Sequence, residues 1–116
     1  LTWKKTFKYL SMIEDKIKFK LYSYNQIIDY FKKMNLENIV LFSQARSGST
    51  FVTENLPKLM GFSENQIFHE GYFLNRHFTY LKHFVKKHNN FFLNVNEFVY
   101  QRTNLIKKKN SLYLSL

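Results

Sequence analysis

The sequence contains no cysteine, which excludes a disulfide scaffold, thiolate metal ligation and a cysteine nucleophile. One proline and three glycines in 116 residues are too few for a linker-rich or low-complexity chain. No apolar run approaches the ~20 residues that a membrane-spanning helix needs, and no signal-peptide pattern opens the chain. Acidic residues are also scarce: eight stand against 18 lysines and arginines, giving a net charge of +10. That imbalance favours polyanionic partners such as nucleotides, nucleic acid, acidic glycans or anionic membrane, without choosing among them. No internal repeat is visible. The chain begins at Leu1 rather than Met and stops at Leu116 with no polar tail, as expected of a fragment cut at both ends.

What is abundant is aromatic area. Thirteen Phe and eight Tyr, in a chain that is 19% aromatic, supply enough apolar surface for one small domain with a real core. Disorder is not expected from such a composition.

The stretch around which the chain is organised starts with Asn38-Ile39-Val40-Leu41-Phe42-Ser43, an apolar run of strand length. Gln44-Ala45-Arg46-Ser47-Gly48-Ser49-Thr50 follows as a small polar turn, and then Phe51, Val52, Leu56 and Leu59 recur at helical spacing. Strand, tight loop and helix present unpaired backbone N–H groups at a helix N-terminus, where an anion binds well. Gly48 permits positive φ or close backbone approach, and Ser47, Ser49 and Thr50 add hydroxyl donors. Arg46 supplies a permanent cation with a planar donor fork. The pattern reads as a phosphate-binding loop, with a Ser/Gly turn carrying a solvated Arg46 as the plainer alternative. It is not the common nucleotide-hydrolase version, because no glycine opens the loop and Ser49 stands where a lysine would follow Gly48.

The order Arg46-Ser47-Gly48-Ser49-Thr50 after a strand resembles the 5′-phosphosulfate loop of the sulfotransferases, especially the carbohydrate and bacterial lipid-type members. Ser43-Gln44 before it and Phe51-Val52 after it are similar to that family too, so the resemblance covers residues 38–60, about a fifth of the chain. It implies a co-substrate, 3′-phosphoadenosine 5′-phosphosulfate, held by Arg46, Ser47, Gly48, Ser49 and Thr50 without a metal. It also implies a carbohydrate or lipid-linked hydroxyl as acceptor, with the cytoplasm as location for a bacterial protein and the Golgi lumen for a eukaryotic one. Some bacterial family members carry a Glu shortly after the first post-loop helix, near the acceptor, and Glu70 resembles it. Glu70 or its neighbour His69 is therefore the expected general base, with Arg46 the third catalytic residue. The family's second motif, an Arg at a strand end followed by a Ser that opens a helix against the 3′-phosphate, has only Arg102 and Ser111 as candidates. Arg102 sits in a helical pattern, so the motif is read as absent and the chain as the N-terminal part of the enzyme.

Around this centre, Trp3, Phe7, Leu10, Ile13, Ile17 and Leu21 fall at three- and four-residue steps among lysines and predict an amphipathic helix over 2–21. Packing on a sheet is the expected role of that helix; peripheral membrane contact is the alternative. Ser23 or Asn25 is expected to cap a second helix that buries Ile27, Ile28, Phe31 and Met34. The post-loop helix is expected to run towards Met60 with Gly61 at its C′ position and Pro57 disturbing its last turn. Phe73 to His88 predicts a further helix. Asn94 or Asn96 is expected to cap another that carries Val95, Phe98, Val99 and Leu105 and ends at Lys107–Lys109. Ser111 to Leu116 alternates like a strand and is expected to lie parallel to residues 39–43. His77, His83 and His88 lack the spacing of a one-face ligand pair, so no metal site is expected.

The expected fold is therefore α/β: a P-loop-type parallel sheet covered by helices. Residues 1–37 form N-terminal helices, 38–60 the strand–loop–helix unit, and 61–116 helices and a second strand. The activity expected is sulfuryl transfer to a hydroxyl. A divergent P-loop kinase is the rival enzyme, and a basic module for nucleic acid or membrane is the rival of another class. No recognised nucleic-acid motif appears, so nucleic acid is not the expected partner.

Overall fold

The structure, a computed structural model, describes residues 7–10, 21–43, 48–69, 78–96 and 108–116. The described strands are β1 (Phe7–Leu10), β2 (Leu21–Tyr22), β3 (Asn38–Ser43), β4 (Ile67–Phe68), β5 (Phe92–Asn96) and β6 (Ser111–Ser115), and the helices are α1 (Tyr24–Lys33), α2 (Ser49–Leu59) and α3 (Phe78–Lys87). One sheet holds the strands in the order β2-β1-β6-β3-β5-β4. β4, β5, β3 and β6 run parallel to one another, while β1 lies antiparallel to β6 and β2 antiparallel to β1. The molecule is an α/β fold with an antiparallel margin.

β3 is the central strand because its sequence suits burial on both faces: all six residues are buried. Side chains alternate across a strand, and here the alternation divides the core. Ile39 and Leu41 join Tyr24, Ile27, Val52 and Leu56 of α1 and α2, while Val40 and Phe42 join Phe84 and Val85 of α3. Helices thus cover both faces. Val40 is level with Leu93 on one side and Tyr113 on the other, so β6 lies beside β3 in parallel as its alternation predicts.

Two helical expectations fail. Residues 7–10, expected within a helix over 2–21, form β1, because pairing with Tyr113, Leu114 and Ser115 of β6 overrides the helical spacing of Phe7 and Leu10. The rest of that span lies outside the described residues, apart from Leu21 in β2. Residues 92–96, where Asn94 or Asn96 was expected to cap a helix, form β5, parallel to β3 from Ile39–Phe92 to Ser43–Asn96. Residues 61–116 therefore contain β4, β5 and β6 rather than one strand.

The helix ends follow their sequence signals. Ser23 caps α1 in a reciprocal capping box with Gln26. Met34, expected on the buried side of α1, is 41% exposed. Pro57 does not end α2, which continues to Leu59; its carbonyl accepts from the Phe62 N–H at 2.9 Å, and Gly61 takes φ +93° at C′. This Schellman closure satisfies the carbonyl that the last turn would otherwise leave open.

Candidate anion-binding site

In a parallel sheet, every strand delivers the residues that follow it to the same edge. Ser43 closes β3, Phe68 closes β4, Asn96 closes β5 and Ser115 closes β6, so these four strand ends share one carboxyl edge. From β3 the chain goes out to β4, returns to β5 beside β3, and then crosses to β6 on the other side of β3. In open α/β sheets, ligands bind outside the carboxyl ends of the strands at such a reversal. The Arg-Ser-Gly-Ser-Thr segment follows β3.

Gly48 is the N-cap of α2 and has φ 85°, ψ 15°, a left-handed conformation that glycine adopts without a Cβ penalty. Having no side chain, Gly48 itself supplies no capping hydrogen bond. Ser49 and Thr50 occupy the first two positions of the 11-residue helix, where backbone N–H groups have no intrahelical acceptor. Gly48 and Ser49 are half-buried and Thr50 is exposed. The first turn carries no acidic residue, so nothing on it opposes an anion at the positive end of the helix dipole. Arg46 and Ser47 lie outside the described residues.

A buried polar chain ties this helix start to the sheet. The Ser43 hydroxyl donates to Asn94 Oδ1 at 2.7 Å, and Asn94 Nδ2 donates to Thr53 Oγ1 at 3.1 Å. Thr53 Oγ1 in turn donates to the Ser49 carbonyl at 2.7 Å. Ser43, Asn94 and Thr53 are each at most 2% exposed. Burying polar groups is unfavourable unless they are paired, and this chain pairs all three. Sequence reasoning misses Asn94 and Thr53. Asn94 has the residue type of a helix cap, and Thr53 reads as one more helical position, although its i−4 spacing to Ser49 allows the back-bond it makes.

His69 follows β4 directly and is exposed. Phe68 pairs with Leu93, which pairs with Val40, so β4 stops three residues before the level of Ser43. With β5 between them, His69 starts about 10 Å to the side of β3. It shares the carboxyl edge with Gly48 and Ser49 without adjoining them. Glu70 lies outside the described residues, as does Arg102. Ser111 is placed: it opens β6 at the amino edge, opposite the loop, where its Oγ accepts from Asn38 Nδ2 at 3.2 Å.

Searches against protein-family models, curated proteins and solved structures find no match to this chain.

Proposed function

We propose that the chain is part of a sulfotransferase, and that the connection from Ser43 to Thr50 holds the 5′-phosphosulfate of 3′-phosphoadenosine 5′-phosphosulfate. The observation that supports the reading is Gly48, left-handed at the start of α2 and without a side-chain cap of its own, in a helix that comes next in the chain after the central parallel strand. Sulfuryl transfer forms a bond from the acceptor oxygen to sulfur and breaks the bond from sulfur to the 5′-phosphate oxygen. The acceptor proton passes to a base, and the bisphosphate nucleotide leaves with the electron pair. Charge grows on the leaving phosphate oxygen, and fixed N–H dipoles with one guanidinium stabilise it without reorganising. The amides of Ser47 to Thr50 and Arg46 have that role in this proposal. Glu70 is the base, with His69 as substitute, and a carbohydrate or lipid-linked hydroxyl is the acceptor.

Calorimetric titration of the chain with adenosine 5′-phosphosulfate tests the proposal, since the sequence carries no recognisable 3′-phosphate motif. Saturable binding without magnesium is expected, and Arg46→Ala should weaken it by ~1.5–3 kcal/mol through loss of a charge-assisted contact. Magnesium-dependent ATP turnover with no response to the phosphosulfate would favour the kinase instead.

A second reading draws on the surface around the end of α3. His83, Lys86, Lys87, His88 and Lys109 are exposed there, and residues 78–96 and 108–116 contain no Asp or Glu. This cationic face suits a basic module for a polyanion. Steep salt dependence with no preference for the nucleotide would identify it.

A further inference from the structure

The three buried hydrogen bonds behind the loop all point the same way. Ser43 donates to Asn94, Asn94 donates to Thr53, and Thr53 donates to the Ser49 carbonyl. That carbonyl belongs to the peptide whose N–H is that of Thr50, at the second position of α2, where helix geometry supplies no acceptor. In an aligned chain each bond polarises the next. Withdrawing electron density at the Ser49 carbonyl makes the Thr50 N–H a stronger donor. The same chain joins the residue before the loop, Ser43, to the first residue of the helix after it, so both ends of the connection are held by one amide on β5.

Stability does not require this arrangement. Leu93 and Val95, which flank Asn94, are buried apolar residues, and a strand covered on both faces accommodates apolar residues throughout. Replacing hydrogen-bonded partners together by apolar groups of the same shape is close to neutral. Burial of the strand alone therefore does not call for polar residues at these positions.

We infer that Asn94 and Thr53 are positioning residues for the proposed anion site: they fix the start of α2 against the end of β3 and strengthen the Thr50 N–H as a donor to the bound anion. The inference rests on the anion-binding reading of the loop and adds residues that no loop motif contains. Asn94 accepts from Ser43 through Oδ1 and donates through Nδ2, so only a side-chain amide of this length serves both ends.

The test compares Thr53→Val, which keeps the shape and removes the hydroxyl, with Thr53→Ser, which restores it. Val85→Ala, in the α3 core on the opposite face, serves as a control for lost stability. Each full chain is titrated with adenosine 5′-phosphosulfate, and its thermal midpoint is measured. Thr53→Val should bind up to about fivefold more weakly, with the Thr50 amide proton of the bound state shifted upfield, as expected when one aligned donor is lost. Thr53→Ser should stay within about twofold of wild type. Val85→Ala should melt lower with its affinity unchanged. Equal binding by wild type and Thr53→Val would overturn the inference and leave the loop reading intact. An equal loss in Val85→Ala would overturn it too, by tracing the effect to stability alone. Absence of saturable binding by wild type would remove the loop reading and this inference with it.

Discussion

Asn38 and Ser43 are the first and last residues of β3, both buried, and their side chains are used in different ways. At the amino edge, Asn38 Nδ2 donates to Ser111 Oγ at 3.2 Å, and its Oδ1 accepts from the Phe91 N–H at 3.4 Å. That cluster closes on itself and joins the starts of β3, β5 and β6. Lys108 reinforces the same edge by donating to the carbonyls of Val85, at 2.7 Å, and of His88, at the end of α3. At the carboxyl edge, the chain from Ser43 does not close. It runs outward through Asn94 and Thr53 to the first turn of α2, where the loop meets the helix. One edge staples strands, whereas the other transmits the position of the strands to a helix start. Polar burial of equal completeness is a stability device at the first edge and, in the anion-binding proposal, a device for holding a ligand at the second.

If the sulfotransferase proposal holds, the largest expected effect belongs to its proposed base. In an active form with its acceptor, Glu70→Gln should lower turnover by ~10²–10⁴-fold while leaving donor affinity nearly unchanged, as loss of a general base does. Turnover within a few-fold of wild type would take Glu70 off the catalytic list, and His69→Ala would then be the variant to assay.

Between the two edges lies Tyr113, level with Val40 in the middle of the sheet. Burial pushes its phenol up from 10 to about 12, although a hydrogen bond with the Lys108 backbone acts in the opposite direction. The unfolded chain ionises near 10, so above that pH unfolding releases a proton that the fold retains. Stability drawn from this group is intact below pH 10 and declines as pH climbs towards 12, by up to about 3 kcal/mol. Denaturant midpoints across that range should decline less steeply for Tyr113→Phe than for wild type. Equal slopes would show that the phenol ionises alike in both states.

A smaller effect separates the edges directly. Asn38→Ala strips Ser111 Oγ and the Phe91 N–H of a buried partner and should reduce stability by ~1–3 kcal/mol. Affinity for adenosine 5′-phosphosulfate should not change, because the Asn38 cluster lies at the opposite end of β3 from the loop. A parallel loss of affinity would mean that the two edges are not independent.

The parts of this arrangement that are legible in the sequence are those fixed by local pattern. β3 is an unbroken apolar run, β6 alternates, Ser23 has Gln26 three residues later, and Gly61 stands where a helix must stop. Those signals act over a few residues and survive any tertiary setting. β5 is not legible, because Asn94 and Asn96 are cap-forming residue types, and only pairing with β3 makes a strand of them. β1 is hidden similarly: Phe7 and Leu10 fit a helical step, and it takes β6, more than a hundred residues further on, to pair them as strand. The glycine at the start of α2 is legible, but the buried residues behind it are not. Asn94 lies 51 residues from Ser43 and 41 from Thr53, and no periodicity connects positions that far apart.

If the proposal holds, the carboxyl edge, and not the basic surface at the end of α3, takes the nucleotide's anionic group. Amide chemical shifts followed by NMR during titration with adenosine 5′-phosphosulfate distinguish the two surfaces residue by residue. Saturable shifts are predicted at Gly48, Ser49 and Thr50, with Asn38, Phe91 and Ser111 unmoved. Shifts centred on Lys86, Lys87 and Lys109 with Gly48 to Thr50 silent would contradict the proposal.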